Sequence, residues 1–266
     1  MTESLLGLYV CPLCRGMLRQ EPGGLACGAC GLAYPLIDGI PDFLPASTRG
    51  DVNPFLRLAG KIGKLAWVYE RLWYPFFLNV IGGLHALTLG DLIAFARQEM
   101  LPVRGLVLDA AAGTGTYGRR VADRERTVYC VDLSMDMMRV GQAYARREGV
   151  TKIHFSRSPV EQLPFADSLF DGCFTCGSLH LFPDTLKALS EIGRTMKSSA
   201  PLVAFTLGRS DTGILKYPGI RRFLRRKALL TVFEPASLEK VLGEAGFEGF
   251  RPALKGAVLL FTARKR

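Results

Sequence analysis

From residue 101 onward, short apolar runs alternate with longer stretches in which apolar positions recur at helical spacing. The runs 105–110, 127–132, 153–156, 170–176 and 202–207 are continuous enough to be strands covered on both faces, and the segments between them are long enough for crossovers. This alternation predicts an α/β fold, a Rossmann-like doubly wound and mainly parallel sheet. The last two runs, 247–252 and 258–263, are joined by a short glycine-containing link, which predicts a closing antiparallel hairpin in place of another crossover.

Before residue 101 the pattern changes twice. Up to Pro45 the chain is rich in Cys, Gly and Pro, and from about 51 to 100 it is aromatic and aliphatic. The 266 residues therefore divide into a small metal-held module (1–46), a helical connector that would serve as an active-site lid (47–100), and a main domain (101–266) with a basic insert at about 209–230. The first residues lack the basic region and long apolar core of a secretory signal, so a cytoplasmic chain with unoxidised thiols is expected. The longest uncharged stretch, 72–90, approaches the roughly 20 residues of a membrane span. Pro75, Asn79, Gly82, Gly83 and His85 interrupt it, which favours a packed or interfacial segment.

Four of the seven cysteines, Cys11, Cys14, Cys27 and Cys30, form two C-x2-C pairs. Each pair sets two thiolates on one tight knuckle, and two facing knuckles supply the soft tetrahedral ligand set of a structural zinc ribbon. Four cysteines leave no open coordination position, so Zn2+ here would fold the module and not catalyse. Cys173 and Cys176 repeat the spacing inside an apolar run and, like Cys130, read as buried core thiols.

The run at 105–110 ends in Asp109 and enters Ala110-Ala111-Ala112-Gly113-Thr114-Gly115-Thr116-Tyr117-Gly118. Gly113, Gly115 and Gly118 match G-x-G-x-x-G, by itself a weak dinucleotide signal. A carboxylate beside the loop would repel a pyrophosphate but suits a ligand bearing a cationic amine and a sulfonium. The next strand ends in Asp132, placed to accept hydrogen bonds from both hydroxyls of a ribose. Downstream come Glu161-Gln162-Leu163-Pro164-Phe165-Ala166-Asp167-Ser168-Leu169-Phe170-Asp171 and Ser178-Leu179-His180-Leu181-Phe182-Pro183-Asp184.

In this order the motifs resemble those of class I S-adenosylmethionine-dependent methyltransferases, nearest the ubiquinone/menaquinone-biosynthesis branch (methyltransferase type 11). The resemblance covers about 101–266 and implies a seven-stranded sheet with S-adenosylmethionine across the strand ends. It implies Gly113 and Gly115 against the methionine moiety, Asp109 near its amino group, Asp132 on the ribose, Leu133 against adenine, and Val160 and Glu161 bordering the base. Ala111, Thr114, Met137 and Cys176 complete the implied cofactor shell. Ala111 stands where the family usually has a glycine, and Pro159 where it commonly has an acid contacting the adenine amine. His180 reads either as a general base beside the transferred methyl or as a hydrogen-bonded histidine at a strand end.

Methyl transfer to a nucleophile draws its activation from the sulfonium, so no strong nucleophile-base constellation is required, and none is evident. The planar-amine signature N/D-P-P-Y is absent at 175–178. Tyr69, Trp73, Tyr74, His85 and Tyr217 are the candidate acceptor contacts. The net charge of +10 is concentrated at the end: −1 over 1–50 and +8 over 201–266. Arg221, Arg222, Arg225, Arg226 and Lys227 beside Ile220, Phe223 and Leu224 make the pattern of a basic amphipathic helix that meets anionic membrane, RNA or only solvent. Three readings follow. The first is a methyltransferase for a small lipophilic acceptor such as a quinone precursor, lipid or natural product, cytoplasmic or peripheral to a membrane. The second resembles the zinc-ribbon rRNA guanine methyltransferases, and the third is a cofactor-binding scaffold without catalysis. The net acidity of the ribbon tilts the balance to the small molecule.

Overall fold

The structure is a computed structural model and describes residues 6–44, 87–210, 214–223 and 230–266. The candidate contacts Tyr69, Trp73, Tyr74 and His85, most of the connector 47–100, and Leu224 to Lys227 of the basic stretch lie outside the described residues.

The N-terminal module is a four-stranded antiparallel sheet, β1 (Leu18–Glu21), β2 (Gly24–Cys27), β3 (Ala33–Ile37) and β4 (Ile40–Pro41), in sequential order. Its two knuckles share one hydrogen-bond plan. Cys11 N donates to Gly16 O and Arg15 N to Cys11 O; Cys27 N donates to Leu32 O and Gly31 N to Cys27 O. Each plan needs a left-handed residue after the second cysteine, met by Arg15 (φ 62°) and Gly31 (φ 73°). The four Sγ atoms converge within 4.8 Å of one another, the closed donor set of a structural zinc ion. The Tyr34 hydroxyl lies 3.1 Å from Cys11 Sγ, and the amides of Cys30 and Ala29 help hold the Cys27 thiol down to about 6.

The main sheet has seven strands: β5 (Gly105–Ala110), β6 (Arg126–Asp132), β7 (Ile153–Arg157), β8 (Gly172–Cys176), β9 (Pro201–Leu207), β10 (Phe247–Lys255) and β11 (Val258–Lys265). Their spatial order is β10-β11-β9-β8-β5-β6-β7, with β5 to β9 parallel and β11 antiparallel to both neighbours. The predicted strands and closing hairpin are all present. One boundary moves: β8 begins at Gly172 because Phe170 and Asp171 are engaged elsewhere. Phe170 N bonds Thr195 O, and the Asp171 carboxylate accepts from Leu106 N and pairs with Lys197.

Apolar side chains alternate to both faces, as a doubly covered sheet requires. Val107, Val128, Cys130, Phe174 and Val203 pack with α1 (Leu89–Met100), α2 (Gly118–Val121) and α3 (Met135–Glu148). Leu108, Tyr129, Val131, Leu202 and Phe261 pack with α4 (Thr185–Thr195) and α6 (Pro235–Glu244), while a short helix α5 (Pro218–Phe223) lies between β9 and α6 in sequence. The three cysteines of the main sheet, Cys130, Cys173 and Cys176, are all buried.

The ribbon shares this second core. Tyr9 stacks on Phe43 and Phe165 with ring centroids 5.4 and 5.1 Å apart, and Cys11, Leu18, Leu25 and Tyr34 join the same cluster. Asp42 pairs in parallel with Arg157, so the ribbon's exit covers the exposed edge of β7. Shared packing predicts shared unfolding. Replacing one ligand, Cys27→Ser, should lower the melting temperature of the whole chain in one transition, by about 5 °C or more, given roughly 2–4 °C per kcal/mol at this size. Differential scanning calorimetry reads this directly, and two separated transitions would contradict it.

Candidate active site

In chain order the strands step outward from β5 to β6 and β7, then return to build β8 and β9 on the other side. This reversal opens a crevice beyond the carboxyl ends of β5 and β8, the place where open α/β sheets bind ligands. The glycine loop leaves β5 at this point.

The loop curls because three alternate residues, Ala111 (φ 59°), Gly113 (φ 57°) and Gly115 (φ 67°), are left-handed. Its base is tightly held: a Cβ on Gly141 of α3 would lie 2.5 Å from Thr114 O, so that glycine lets the helix meet the loop backbone. Ser178 Oγ, just beyond β8, donates to Ala111 O at 3.0 Å and ties the two sides of the crevice together. Thr114 is buried with its hydroxyl 3.1 Å from that of Thr116, and the Met137 side chain is buried beneath Gly113.

Asp132 ends β6. Its Oδ2 accepts from Gly113 N and its Oδ1 from Ser134 N, both at 2.8 Å, while Ser134 caps α3 through Met137 N. The half-buried carboxylate thus braces the loop, and burial raises its pKa against the pull of those amides. Leu133 and Glu161 are half-buried and Val160 is buried, on segments that follow β6 and β7. Burial raises Glu161 as well.

Asp109 is held at the base of the loop. It is 1% exposed and lies under the loop, with Oδ2 accepting from Gly118 N at 3.1 Å and 3.8 Å from Cys130 Sγ. Gly118 permits this, since a Cβ there would be 3.0 Å from Asp109 Oδ2 and 2.9 Å from Cys130 Sγ. Burial drives Asp109 well above the usual carboxylate range, and the charge of Asp132 adds to it. In this position its Oδ2 organises the loop from beneath.

His180 lies in a 3-10 turn after β8, 5% exposed, with Nδ1 3.4 Å from Thr206 Oγ1 and its carbonyl accepting from Thr231 N at 2.9 Å. Burial lowers it to about 4, so it is neutral at physiological pH and a weak base. Cys176 closes β8 as a buried thiol pushed upward by burial. Tyr217 is exposed, with the Lys216 ammonium 4.9 Å from its ring centroid. Sequence reasoning did not single out Ser178, Arg157 or the side chain of Gln162, whose contacts join residues far apart in the chain.

Two variants probe this loop. The left-handed geometry costs an L-residue roughly 1–2 kcal/mol, partly offset by the entropy cost of glycine, so Ala111→Gly should stabilise the fold by about 0.5–1 kcal/mol in chemical denaturation. Asp109→Asn keeps an acceptor for Gly118 N without a buried charge. Because the folded pKa of Asp109 is raised, wild-type stability falls as pH rises from about 4 toward that folded value. The variant should therefore be more stable at neutral pH, with a flatter stability profile over that interval; an unchanged profile would count against a buried acid.

A methyltransferase-domain model matches residues 107–199, and a model of Trm112p-like proteins matches residues 3–39. The chain is 32% identical to a demethylmenaquinone methyltransferase of Bacteroides fragilis, over 60% of this chain and 75% of that one. An uncharacterized chloroplastic methyltransferase of Arabidopsis thaliana is 23% identical over 97% of this chain and 78% of its own. The crystal structure of the YcgJ protein of Bacillus subtilis has the same fold, with a TM-score of 0.58 at 15% identity over 66% of this chain and 99% of that one. The chain belongs to the class I S-adenosylmethionine-dependent methyltransferases, with a four-cysteine zinc ribbon at its N-terminal side.

Proposed function

We propose that the enzyme methylates a small, lipophilic acceptor of the quinol type. The similarity to a demethylmenaquinone methyltransferase over three quarters of that protein's length carries this reading. The chemistry of the site supports it. Among the described residues at the crevice the imidazole is His180, a weak base, which suits an acceptor with an acidic O–H, such as a quinol, better than a weakly acidic one that needs a strong base.

The cofactor supplies an electrophilic methyl on a sulfonium when bound. In this reading the left-handed loop from Ala111 to Gly115 holds the methionine end, and Asp132 accepts from the ribose hydroxyls. Leu133, Val160 and Glu161 flank the adenine, with Met137 and Cys176 filling the floor. Asp109 acts beneath the loop as its brace. Pro159 offers no donor or acceptor side chain, so the base is held by backbone and apolar contact. The residues present fit such a nucleoside: the loop has small residues where a ligand approaches, and a carboxylate stands one strand away at the height of a ribose.

No helix among the described residues is long and apolar enough to cross a membrane. In this reading an acceptor partitioned in a bilayer is reached from its surface. Exposed Tyr217 and Phe223 beside Arg221 and Arg222 on and before α5 form the face we assign to an anionic headgroup layer.

The reading is tested by offering methyl-labelled S-adenosylmethionine with either demethylmenaquinol in anionic vesicles or a large-subunit rRNA transcript. Label in the quinol fraction is expected. Label in RNA alone would replace this reading with nucleic-acid methylation, and binding of cofactor without transfer to either would remove the quinol assignment.

A further inference from the structure

The ribbon touches the two segments assigned to the adenine side, and it does so through polar side chains. Buried Asp42, on the ribbon's exit, pairs with Arg157 Nη1 at 3.3 Å, while Nε of the same guanidinium donates to Leu133 O at 2.8 Å. The pairing continues in the backbone, with Phe43 N donating to Arg157 O at 2.8 Å. Leu133 is therefore one guanidinium away from the ribbon.

The second link runs through Gln162. Its amide N donates to Pro159 O at 3.1 Å, and its carbonyl accepts from Ser158 Oγ at 2.7 Å, closing a turn that presents Val160 and Glu161. Its side chain leaves that turn, and Nε2 donates to Pro12 O at 3.0 Å. Pro12 lies between the metal ligands Cys11 and Cys14, so this carbonyl is placed only when the knuckle is closed. Val10 N donating to Pro164 O at 3.0 Å fixes the same approach.

We propose that the zinc knuckle and the adenine wall are one thermodynamically linked unit. Arg157 and Gln162 are its positioning residues: through them the closed knuckle sets Leu133, Val160 and Glu161, and through them a bound nucleoside holds the knuckle closed. The inference rests on the assignment of those three residues to the adenine. Linkage makes the effect reciprocal, so whatever factor zinc contributes to cofactor affinity, the cofactor contributes to zinc affinity.

The experiment uses the full zinc-loaded chain with S-adenosylhomocysteine as probe. In titration calorimetry below the melting temperature, Arg157→Met should weaken binding about tenfold and Gln162→Ala about threefold, near the lower end of ordinary coupling between sites. Saturating S-adenosylhomocysteine should slow zinc release to a chromogenic chelator about tenfold in the wild type and distinctly less in Gln162→Ala. A purely structural ribbon would not show this protection. Unchanged affinity in both variants, or zinc release independent of the ligand, would overturn the linkage. A wild-type chain that binds no S-adenosylhomocysteine would overturn the adenine assignment, and the linkage with it.

Discussion

Four thiol sulfurs within 4.8 Å of one another are the constraint from which the N-terminal module follows. About forty residues cannot bury enough apolar surface to order themselves, and a closed metal site supplies what the small core lacks. Once the knuckles are fixed, Tyr9, Tyr34 and Phe43 pack on one another, and Tyr9 stacks on Phe165 and meets Tyr129 edge-on. Aromatic pairs of this kind contribute about 0.5–1.5 kcal/mol each beyond their buried area, and only if their backbones are already placed. The metal thus acts at a distance: it orders a ribbon whose packing completes the core on one face of the catalytic sheet.

That face carries a dense polar brace as well. Glu191 of α4 accepts from Leu163 N at 2.9 Å and pairs with Arg194 and Arg15, while Arg194 Nη1 donates to Phe165 O at 2.9 Å. Ribbon, helix and the 161–165 segment therefore meet at one carboxylate. Breaking a buried charged partner typically costs about 3–5 kcal/mol, because the remaining charge is left without solvation. By that rule Asp42 and Arg157 are more consequential than the exposed pair Arg139 and Asp38, although both tie the ribbon to the main domain.

Much of this was legible in the chain because it is local. Continuous apolar runs located the strands, and two C-x2-C pairs located the metal ligands. The spacing of strand, acid and glycine loop located the crevice. What was not legible is non-local. Parallel pairing of Asp42 with Arg157 joins residues far apart in sequence with no turn between them to announce it. Gln162 reaching Pro12 leaves no trace in hydrophobic periodicity. That Gly118 would bring its amide onto the Asp109 carboxylate depends on how closely α2 packs on β6, which spacing does not encode. Ala111 shows the converse, a residue that propensity disfavours at positive φ and that the surrounding loop imposes.

The literal G-x-G-x-x-G match raises a question of chemistry that the hydrogen bonds answer. In a dinucleotide site the loop amides and the helix terminus point at a pyrophosphate, and the glycines exist to let it approach. Here two of those amides are already engaged by the protein's own carboxylates, Gly118 N by Asp109 and Gly113 N by Asp132. A phosphate would meet Asp132 and find both donors taken. A nucleoside bearing hydroxyl donors and a positive sulfonium meets the opposite field, in which the Asp132 carboxylate is a partner. The same three glycines therefore select against one class of cofactor and for another. The residues that make the choice act by occupying those amides: Asp109, one residue before the end of β5, and Asp132, which ends β6, on neighbouring strands.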